Sequence, residues 1–190
     1  MWATFLLTGA RRNEVIGLEM DRVGDELDMS WQLQRIQDVT KAPRDYEYRE
    51  IGDGYYFARP KSSKSWRVIP LVDPLKSILG AWMRDAGSSG LLFEREPGVP
   101  LNPDVVSQRW RGLLIASGIE TETTPPDQRV VLHGTRHTVV DLLYQAGVPE
   151  DVIQQILGHS TRAITRGYKT KGNQSQRVID ACLLYTSPSP

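Results

Sequence analysis

Apolar and polar residues follow a two-residue period in the N-terminal half of the chain. Between residues 27 and 34 they alternate at every position, which predicts one half-buried strand. Residues 55–58 and 66–69 are rich in aromatic and β-branched side chains and predict two further strands, joined by a hairpin turn over 60–65. The polar stretch 37–53 is predicted to be a loop. We therefore expect the three strands to form a small antiparallel sheet.

The spacing of apolar residues becomes three to four after the last predicted strand, which is typical of helices that pack on one side. This spacing predicts helices over 73–86, 103–117, 135–146 and 149–157. Gly87, Gly147 and Gly158 follow three of them, where glycine commonly ends a helix. Residues 1–7 read as another apolar helix, and a short fifth helix after residue 160 is expected to carry Tyr168. The expected fold class is α+β, a mainly α-helical domain with a small antiparallel β-sheet near its N-terminal half.

Length and composition indicate one soluble domain. The chain has 190 residues, of which 39% are hydrophobic and 24% charged, enough for one sizeable core. Its apolar runs are far too short to span a bilayer and no leader segment is recognisable, so we expect no membrane partner. The single Cys182 excludes an internal disulfide and a cysteine zinc site and fits a reducing cytoplasm. Because the first helix begins abruptly we expect an N-terminal truncation, and residues 181–190, which lack periodicity, are expected to be a non-native or disordered tail.

Charge is balanced overall but unevenly distributed. The net charge is zero at pH 7 and the pI is near 6.8, which argues against a uniformly basic surface for nucleic acid. Two windows, 59–67 and 159–177, contain basic residues and no acidic ones. Their basic residues are Arg59, Lys61, Lys64 and Arg67, then Arg162, Arg166, Lys169, Lys171 and Arg177. Either window alone is more often a solvated charged face than a binding site, but both also carry residues of the motifs that follow.

Four short segments contain side chains that suit phosphate chemistry. They are 8–14 (Thr-Gly-Ala-Arg-Arg-Asn-Glu), Lys61, 133–138 (His-Gly-Thr-Arg-His-Thr), and 157–160 (Leu-Gly-His-Ser) with Tyr168 nine residues after its histidine. Cationic side chains stabilise the charge that develops on a phosphate during transfer, and a tyrosine hydroxyl is a nucleophile once activated. Each segment alone has a commoner explanation: an exposed ion pair, a turn lysine, a satisfied histidine or a surface tyrosine.

In this order and spacing the segments resemble the catalytic domain of the tyrosine recombinases, the phage integrase family. The resemblance covers residues 8–168 and implies one catalytic domain over residues 1–180. It implies a site-specific DNA recombinase with six catalytic residues, supported by Glu14. The six are Arg11, Lys61, His133, Arg136, His159 and Tyr168. Further contacts to DNA are expected from Arg59, Lys64, Arg162, Arg166 and Lys169.

The resemblance also decides between neighbouring candidates. The family's Arg-x-x-Glu spacing selects the first of the two adjacent arginines, not Arg12. The distance to the following Ile-Pro-Leu favours Lys61, although Lys64 could take the same role. Thr135 stands where the family usually has leucine, which is expected to affect packing and not chemistry. His137 is expected to be a buried structural histidine.

The resemblance implies a covalent mechanism. In this family the tyrosine attacks the scissile phosphodiester, forms a 3′-phosphotyrosyl link and frees a 5′-hydroxyl, so no cofactor and no metal are expected. The implied partner is double-stranded DNA, bound by a homo-oligomer (a tetrameric synapse) when the protein is full length. Two alternatives remain open. One is a type IB topoisomerase-like enzyme, and the other is a non-catalytic or degraded integrase fragment that binds DNA without cutting it.

Overall fold

The computed structural model describes residues 1–60, 66–86 and 90–158 of the chain. Within these ranges the helices are α1 (Trp2–Thr8), α2 (Arg12–Ile16), α3 (Leu75–Ala86), α4 (Pro103–Ala116), α5 (Gly134–Gln145) and α6 (Glu150–Leu157). The strands are β1 (Glu26–Asp28), β2 (Gln32–Arg35), β3 (Tyr48–Gly52), β4 (Tyr55–Ala58), β5 (Val68–Pro70), β6 (Glu94–Glu96) and β7 (Val99–Pro100). This arrangement confirms the α+β class. The residues predicted for the turn after Pro60, for the fifth helix and for the tail lie outside the described residues.

The strands form three small antiparallel sheets and not one. β1 pairs with β5, β4 lies between β2 and β3, and β6 pairs with β7. The single strand predicted over 27–34 is therefore wrong, because its two halves belong to different sheets. The backbone N–H of Ser30 donates to the Asp28 side chain at 2.8 Å, a local turn that interrupts the ladder. Leu27, Met29 and Leu33 are all fully buried. The alternation therefore predicted correctly which residues are buried, but it did not predict which strands pair.

The predicted loop 37–53 contains a strand that the sequence analysis missed. β3 pairs with β4 through a two-residue turn at Asp53 and Gly54, whose φ angles are 52° and 72°. Positive φ at both central residues is what a tight hairpin turn requires, and Asp-Gly is a common pair there. β4 therefore makes its hairpin with β3, whereas β5 pairs with β1, which corrects the predicted hairpin between residues 55–58 and 66–69.

The helices α1 and α3 to α6 agree with predicted ones to within a few residues, and the helices pack into two apolar clusters. The larger cluster contains residues of the helices α1, α2, α3 and α4 and of the strands. Its fully buried members include Phe5, Val15, Leu33 and Val106. The smaller cluster lies between α5 and α6. Burying one such aliphatic or aromatic side chain contributes about 1.5–3 kcal/mol. No helix in the described ranges has the length and apolar character needed to cross a bilayer.

Gly9 is the point at which α1 meets α5 and α6. It ends α1 in the left-handed conformation, with a φ of 58°, and its N–H donates to the Phe5 carbonyl at 3.0 Å. A Cβ atom at this position would lie 2.8 Å from the Leu157 side chain and 3.2 Å from Val139. Glycine thus permits a close packing that brings the start of α2 next to the end of α6.

Candidate active site

Arg11 precedes α2 and is held by a glutamate one turn later. The backbone N–H of Arg11 donates to Oε2 of Glu14 at 2.7 Å, and its Nη1 donates to Oε1 at 2.7 Å. Glu14 is completely buried, whereas the Arg11 side chain retains 35% of its exposure. The pair is therefore anchored in the core at its acidic end and open to solvent at its basic end, unlike an ordinary surface ion pair.

A second arginine shares the same carboxylate. Nη2 of Arg67 donates to Oε2 of Glu14 at 2.7 Å and lies 3.3 Å from the Met29 sulfur, and Nη1 donates to the Leu157 carbonyl. Arg67 is only 4% exposed. From the sequence it was assigned only to a basic window, so its place beside the motif residues was missed.

Arg136 completes what we call the arginine cluster, defined as Arg11, Arg67 and Arg136. It lies in the first turn of α5 and is 3% exposed. Its Nη1 donates to the Gly9 carbonyl at 2.8 Å, and its Nη2 donates to the Leu157 carbonyl. Nη2 of Arg11 donates to the next carbonyl, that of Gly158, at 3.2 Å. All three guanidiniums therefore meet at the C-terminal end of α6, where the helix dipole places partial negative charge.

Within the described residues, the three guanidinium groups of the cluster lie close enough to repel one another. Three guanidinium groups face one carboxylate, that of Glu14. Burial, followed by repulsion from Arg67 and Arg11, lowers the pKa of Arg136 to about 9. Burial also lowers the pKa of Arg67, against the opposing attraction of Glu14. A bound anion would relieve this repulsion, and the partly exposed Arg11 is the member of the cluster best placed to reach one.

His133 and Arg11 line the same cleft. The cleft has a volume of about 400 Å³, and both residues line it together with Arg12, Asn13 and Gln32. Desolvation of the imidazole lowers the pKa of His133 below its usual 6.5, and the nearby positive charges of His137, Arg136 and Arg11 lower it further. The neutral form of His133 is therefore favoured near pH 7, and this form can accept a proton.

Two neighbours of Arg136, His137 and Thr135, were also considered from the sequence. His137 is exposed, so the predicted buried structural histidine is wrong. α5 turns Thr135, Arg136 and Val139 inward, which leaves position 137 facing outward, where its ring meets that of His133 edge-on with centroids 5.5 Å apart. Thr135 is buried and its hydroxyl donates to the Leu132 carbonyl at 2.8 Å.

Arg12 and Arg59, the other described arginines considered from the sequence, have different partners. Arg12 donates to Ser107 Oγ at 2.7 Å and to the Pro103 carbonyl at 3.1 Å, and so braces the start of α4. Arg59 lies 2.8 Å from a Glu47 carboxylate oxygen, with its guanidinium 4.7 Å from the ring centre of Trp31 and 4.3 Å from that of Trp66. The remaining predicted site residues lie outside the described residues. They are Lys61, Lys64, His159, Arg162, Arg166, Tyr168 and Lys169.

Arg67 could have been found from the two-residue period of the predicted strand 66–69. Arg67 and Ile69 are buried, whereas Val68 between them is 51% exposed. Period two thus directs an arginine into the core, and a buried guanidinium needs a carboxylate or several carbonyl oxygens. Glu14, the acidic residue of the first motif, was the natural candidate for that carboxylate.

Comparisons with known proteins point to one family. The profile described as the phage integrase family matches residues 1–175. An integrase of Streptomyces ambofaciens is 29% identical over 174 residues, which cover 84% of this chain and 40% of that protein. A XerC-like tyrosine recombinase of Caldanaerobacter subterraneus is 25% identical over 190 residues and is covered to 44%. The chain thus spans less than half the length of these two relatives.

Solved structures support the same fold. The Tn1549 transposon integrase in complex with transposon right-end DNA superimposes with a TM-score of 0.64 at 21% identity, over 99% of this chain and 53% of that one. The XerA recombinase gives a TM-score of 0.57 at 18% identity, with 99% of this chain and 52% of that one covered. With the family profile spanning most of its length, this chain belongs to the phage integrase family of tyrosine recombinases.

Proposed function

We propose that residues 1–180 are the catalytic domain of a site-specific recombinase, which cleaves and rejoins DNA through a 3′-phosphotyrosyl intermediate on Tyr168. The observation that carries this proposal is the arginine cluster. It brings three guanidinium groups together at the end of α6, and its most exposed member, Arg11, lines a cleft that His133 also lines. A phosphodiester is the anion that family membership suggests for this place.

The proposed reaction exchanges one phosphate ester for another. The Tyr168 hydroxyl attacks phosphorus, the bond to the 5′-oxygen breaks, and the DNA 3′-end stays attached to the protein. Attack by the 5′-hydroxyl of a partner strand reverses the step and releases Tyr168. Because each step forms one ester bond as it breaks another, no nucleotide cofactor is required.

The described residues would stabilise the negative charge of the phosphate and accept the tyrosine proton. Negative charge grows on the non-bridging phosphate oxygens in the transition state, and fixed guanidinium groups stabilise it strongly because they need no reorganisation. Arg11 can bind these oxygens directly from the cleft, while the 3% exposed Arg136 adds positive charge from below. Neutral His133 can accept the tyrosine proton, a transfer that is needed because a tyrosine hydroxyl has a pKa near ~10.

Residues outside the described ranges would complete the site. Lys61 is proposed to protonate the leaving 5′-oxygen, and His159 to donate to a phosphate oxygen. His159 directly follows Gly158, whose carbonyl already accepts from Arg11, so the chain leads from the arginine cluster into this part of the site. We further propose that Arg59, Lys64, Arg162, Arg166 and Lys169 contact the DNA backbone.

Double-stranded DNA is the proposed partner, bound by a tetramer of the full-length protein. The proposal is supported by family membership and by the DNA bound to the Tn1549 integrase. Because the net charge of this chain is zero, we expect weak binding that depends strongly on salt. Contacts to phosphates release counterions and lose affinity as salt rises, and they carry little sequence information.

Covalent capture of DNA tests the proposal. The chain is incubated at low salt with a pool of nicked duplexes randomised on both sides of the nick, so that the short 5′-hydroxyl product diffuses away and the adduct accumulates. A denaturing gel should show a protein–DNA adduct that forms in EDTA and is absent in Tyr168→Phe but present in Tyr144→Phe. Binding without any adduct would favour the non-catalytic alternative, and relaxation of supercoiled DNA without strand exchange would favour the topoisomerase-like one.

A further inference from the structure

We propose that Arg67 is a positioning residue for the phosphate-binding side chain of Arg11. The inference rests on the proposed function and extends it to a residue that would not touch the DNA. Arg67 is 4% exposed, directly precedes β5 and lies outside the four motif segments. Its guanidinium joins the first motif to the end of α6, and through both it sets where Arg11 points.

Arg67 binds one acceptor of the Arg11 guanidinium directly and the residue next to the other acceptor. Arg11 donates from Nη1 to Oε1 of Glu14 and from Nη2 to the Gly158 carbonyl. Arg67 binds the other oxygen of the same carboxylate, at 2.7 Å, and the carbonyl of the adjacent Leu157. A shift of the Arg67 side chain would therefore move both supports of Arg11 together.

The backbone of Arg67 is a rigid support for this role. Its carbonyl accepts from the N–H of Met29 at 2.9 Å. This hydrogen bond lies next to the pair Asp28 and Val68, the last paired residues of β1 and β5. The side chain thus extends from the end of a paired ladder into the core, where burial restricts its motion.

The arrangement requires arginine and not merely a positive charge. The guanidinium is a planar fork whose two Nη atoms point to different acceptors, here Glu14 and Leu157. A lysine ammonium is a point charge on a flexible stem and does not reproduce that geometry. We therefore expect Arg67→Lys to retain the charge and to lose the alignment.

The test compares Arg67→Lys with the matched control Arg22→Lys, in the 190-residue chain. Arg22 is also a mostly buried arginine in an ion pair, with Glu19 at 2.5 Å, but it lies outside the arginine cluster. Both variants should unfold cooperatively and bind the duplex pool within about threefold of the parent. The rate of adduct formation on saturating DNA should fall at least about tenfold in Arg67→Lys, because small misplacements of a catalytic group are costly, and stay within about twofold in Arg22→Lys.

A second readout follows the pKa of Arg136, which Arg67 lowers by repulsion. In Arg67→Met, which removes this charge, the alkaline limb of the rate profile should move to higher pH. Arg67→Lys with parental rates would overturn the proposal. So would a loss of rate that merely follows the folded fraction, with an unchanged alkaline limb, because that is the behaviour of a purely structural residue.

NMR of the Arg11 Nε–Hε group separates this proposal from the proposed function. The signal should be sharp in the parent and in Arg22→Lys, and broadened in Arg67→Lys. If the parent forms no adduct at all, the proposed function fails while the NMR result still decides whether Arg67 positions Arg11. A sharp, unshifted Arg11 signal in Arg67→Lys would overturn the positioning role.

Discussion

Oε2 of Glu14 lies 2.7 Å from Nη2 of Arg67, and both side chains are almost completely removed from solvent. The same carboxylate receives two hydrogen bonds from Arg11. Glu14 is therefore the shared counterion of two arginines, one buried and one open to the cleft. This relationship makes the stability of the domain and the geometry of the candidate site depend on one carboxylate.

Glu14→Gln should destabilise the domain far more than loss of an exposed ion pair. The amide keeps the shape but removes the charge and leaves a buried guanidinium without its anion, which costs about 3–5 kcal/mol. Glu47→Gln is the control, because Glu47 is 55% exposed in its pair with Arg59 and exposed pairs contribute at most about 1 kcal/mol. Urea unfolding measures both. Equal losses in the two variants would contradict the counterion role.

Gly9→Ala should be more harmful than alanine at another left-handed glycine. At Gly9 the new Cβ combines a φ of 58° with a 2.8 Å approach to the Leu157 side chain. The backbone strain costs about 1–2 kcal/mol, and the overpacking adds about 1–3 kcal/mol. Gly118, with a φ of 75° and nothing within 4 Å of its Cβ position, should show only the first cost. Thermal unfolding measures the melting temperature of both variants. A melting temperature for Gly118→Ala that is equal to or lower than that of Gly9→Ala would contradict the packing argument.

Adduct formation should follow a bell-shaped pH profile. On the acid side the rate should rise as His133 loses its proton, with a midpoint below 6.5 because burial and neighbouring positive charges lower its pKa. On the alkaline side it should fall near pH 9 as Arg136 loses its charge. Single-turnover rates between pH 5 and about pH 10 measure both limbs. A rate that rises as pH falls below 6 would contradict the role of neutral His133.

The lowered pKa of His133 also predicts how the stability of the domain depends on pH. Folded His133 binds its proton less tightly than the unfolded chain does, so the unfolded state takes up more protons on acidification. The contribution of His133 is therefore fully present above its unfolded pKa of 6.5 and is lost as pH falls through the lower folded value. His133→Asn should remove this part of the acid sensitivity, which urea unfolding at a series of pH values would detect.

Arg11→Lys should lower the rate of adduct formation by about 10²–10³, the usual effect of removing one preorganised donor from a transition state. Arg12→Lys should lower it at most about tenfold, because lysine replaces a fork that binds α4 and not the phosphate. Arg12 donates to Ser107 and Pro103, so its variant also controls for charge near the cleft. A larger loss in Arg12→Lys would reverse the assignment of the two arginines.

The sequence predicted which of the described motif residues lie together, but it did not predict how the strands pair. The proximity of Arg11, Glu14 and Arg136 followed from the order of the motifs, and the later helices followed from their apolar spacing. Strand pairing did not follow, because the turn that separates Leu27 from Leu33 depends on a side-chain hydrogen bond of Asp28. Local alternation reports which face is buried, whereas pairing is decided by contacts between distant segments.

Arg67 illustrates the same limit within the site. Its role as a partner of Glu14 depends on two segments 53 residues apart in the chain, and in isolation it reads as one more residue of a basic window. The exposure of His137 has a similar origin. Only the packing of α5 against α1 and α6 decides which positions of that helix face inward, and three inward neighbours leave His137 on the outside.

Peptide mapping of the trapped protein–DNA adduct tests whether Tyr168 is the residue that becomes joined to DNA. After nuclease and protease digestion, mass spectrometry identifies the residue that carries the nucleotide and the end of the DNA to which it is joined. We predict a nucleotide 3′-phosphate on the peptide that contains Tyr168. A nucleotide on Tyr144, a linkage through a 5′-phosphate, or cleaved DNA with no attached peptide would contradict it.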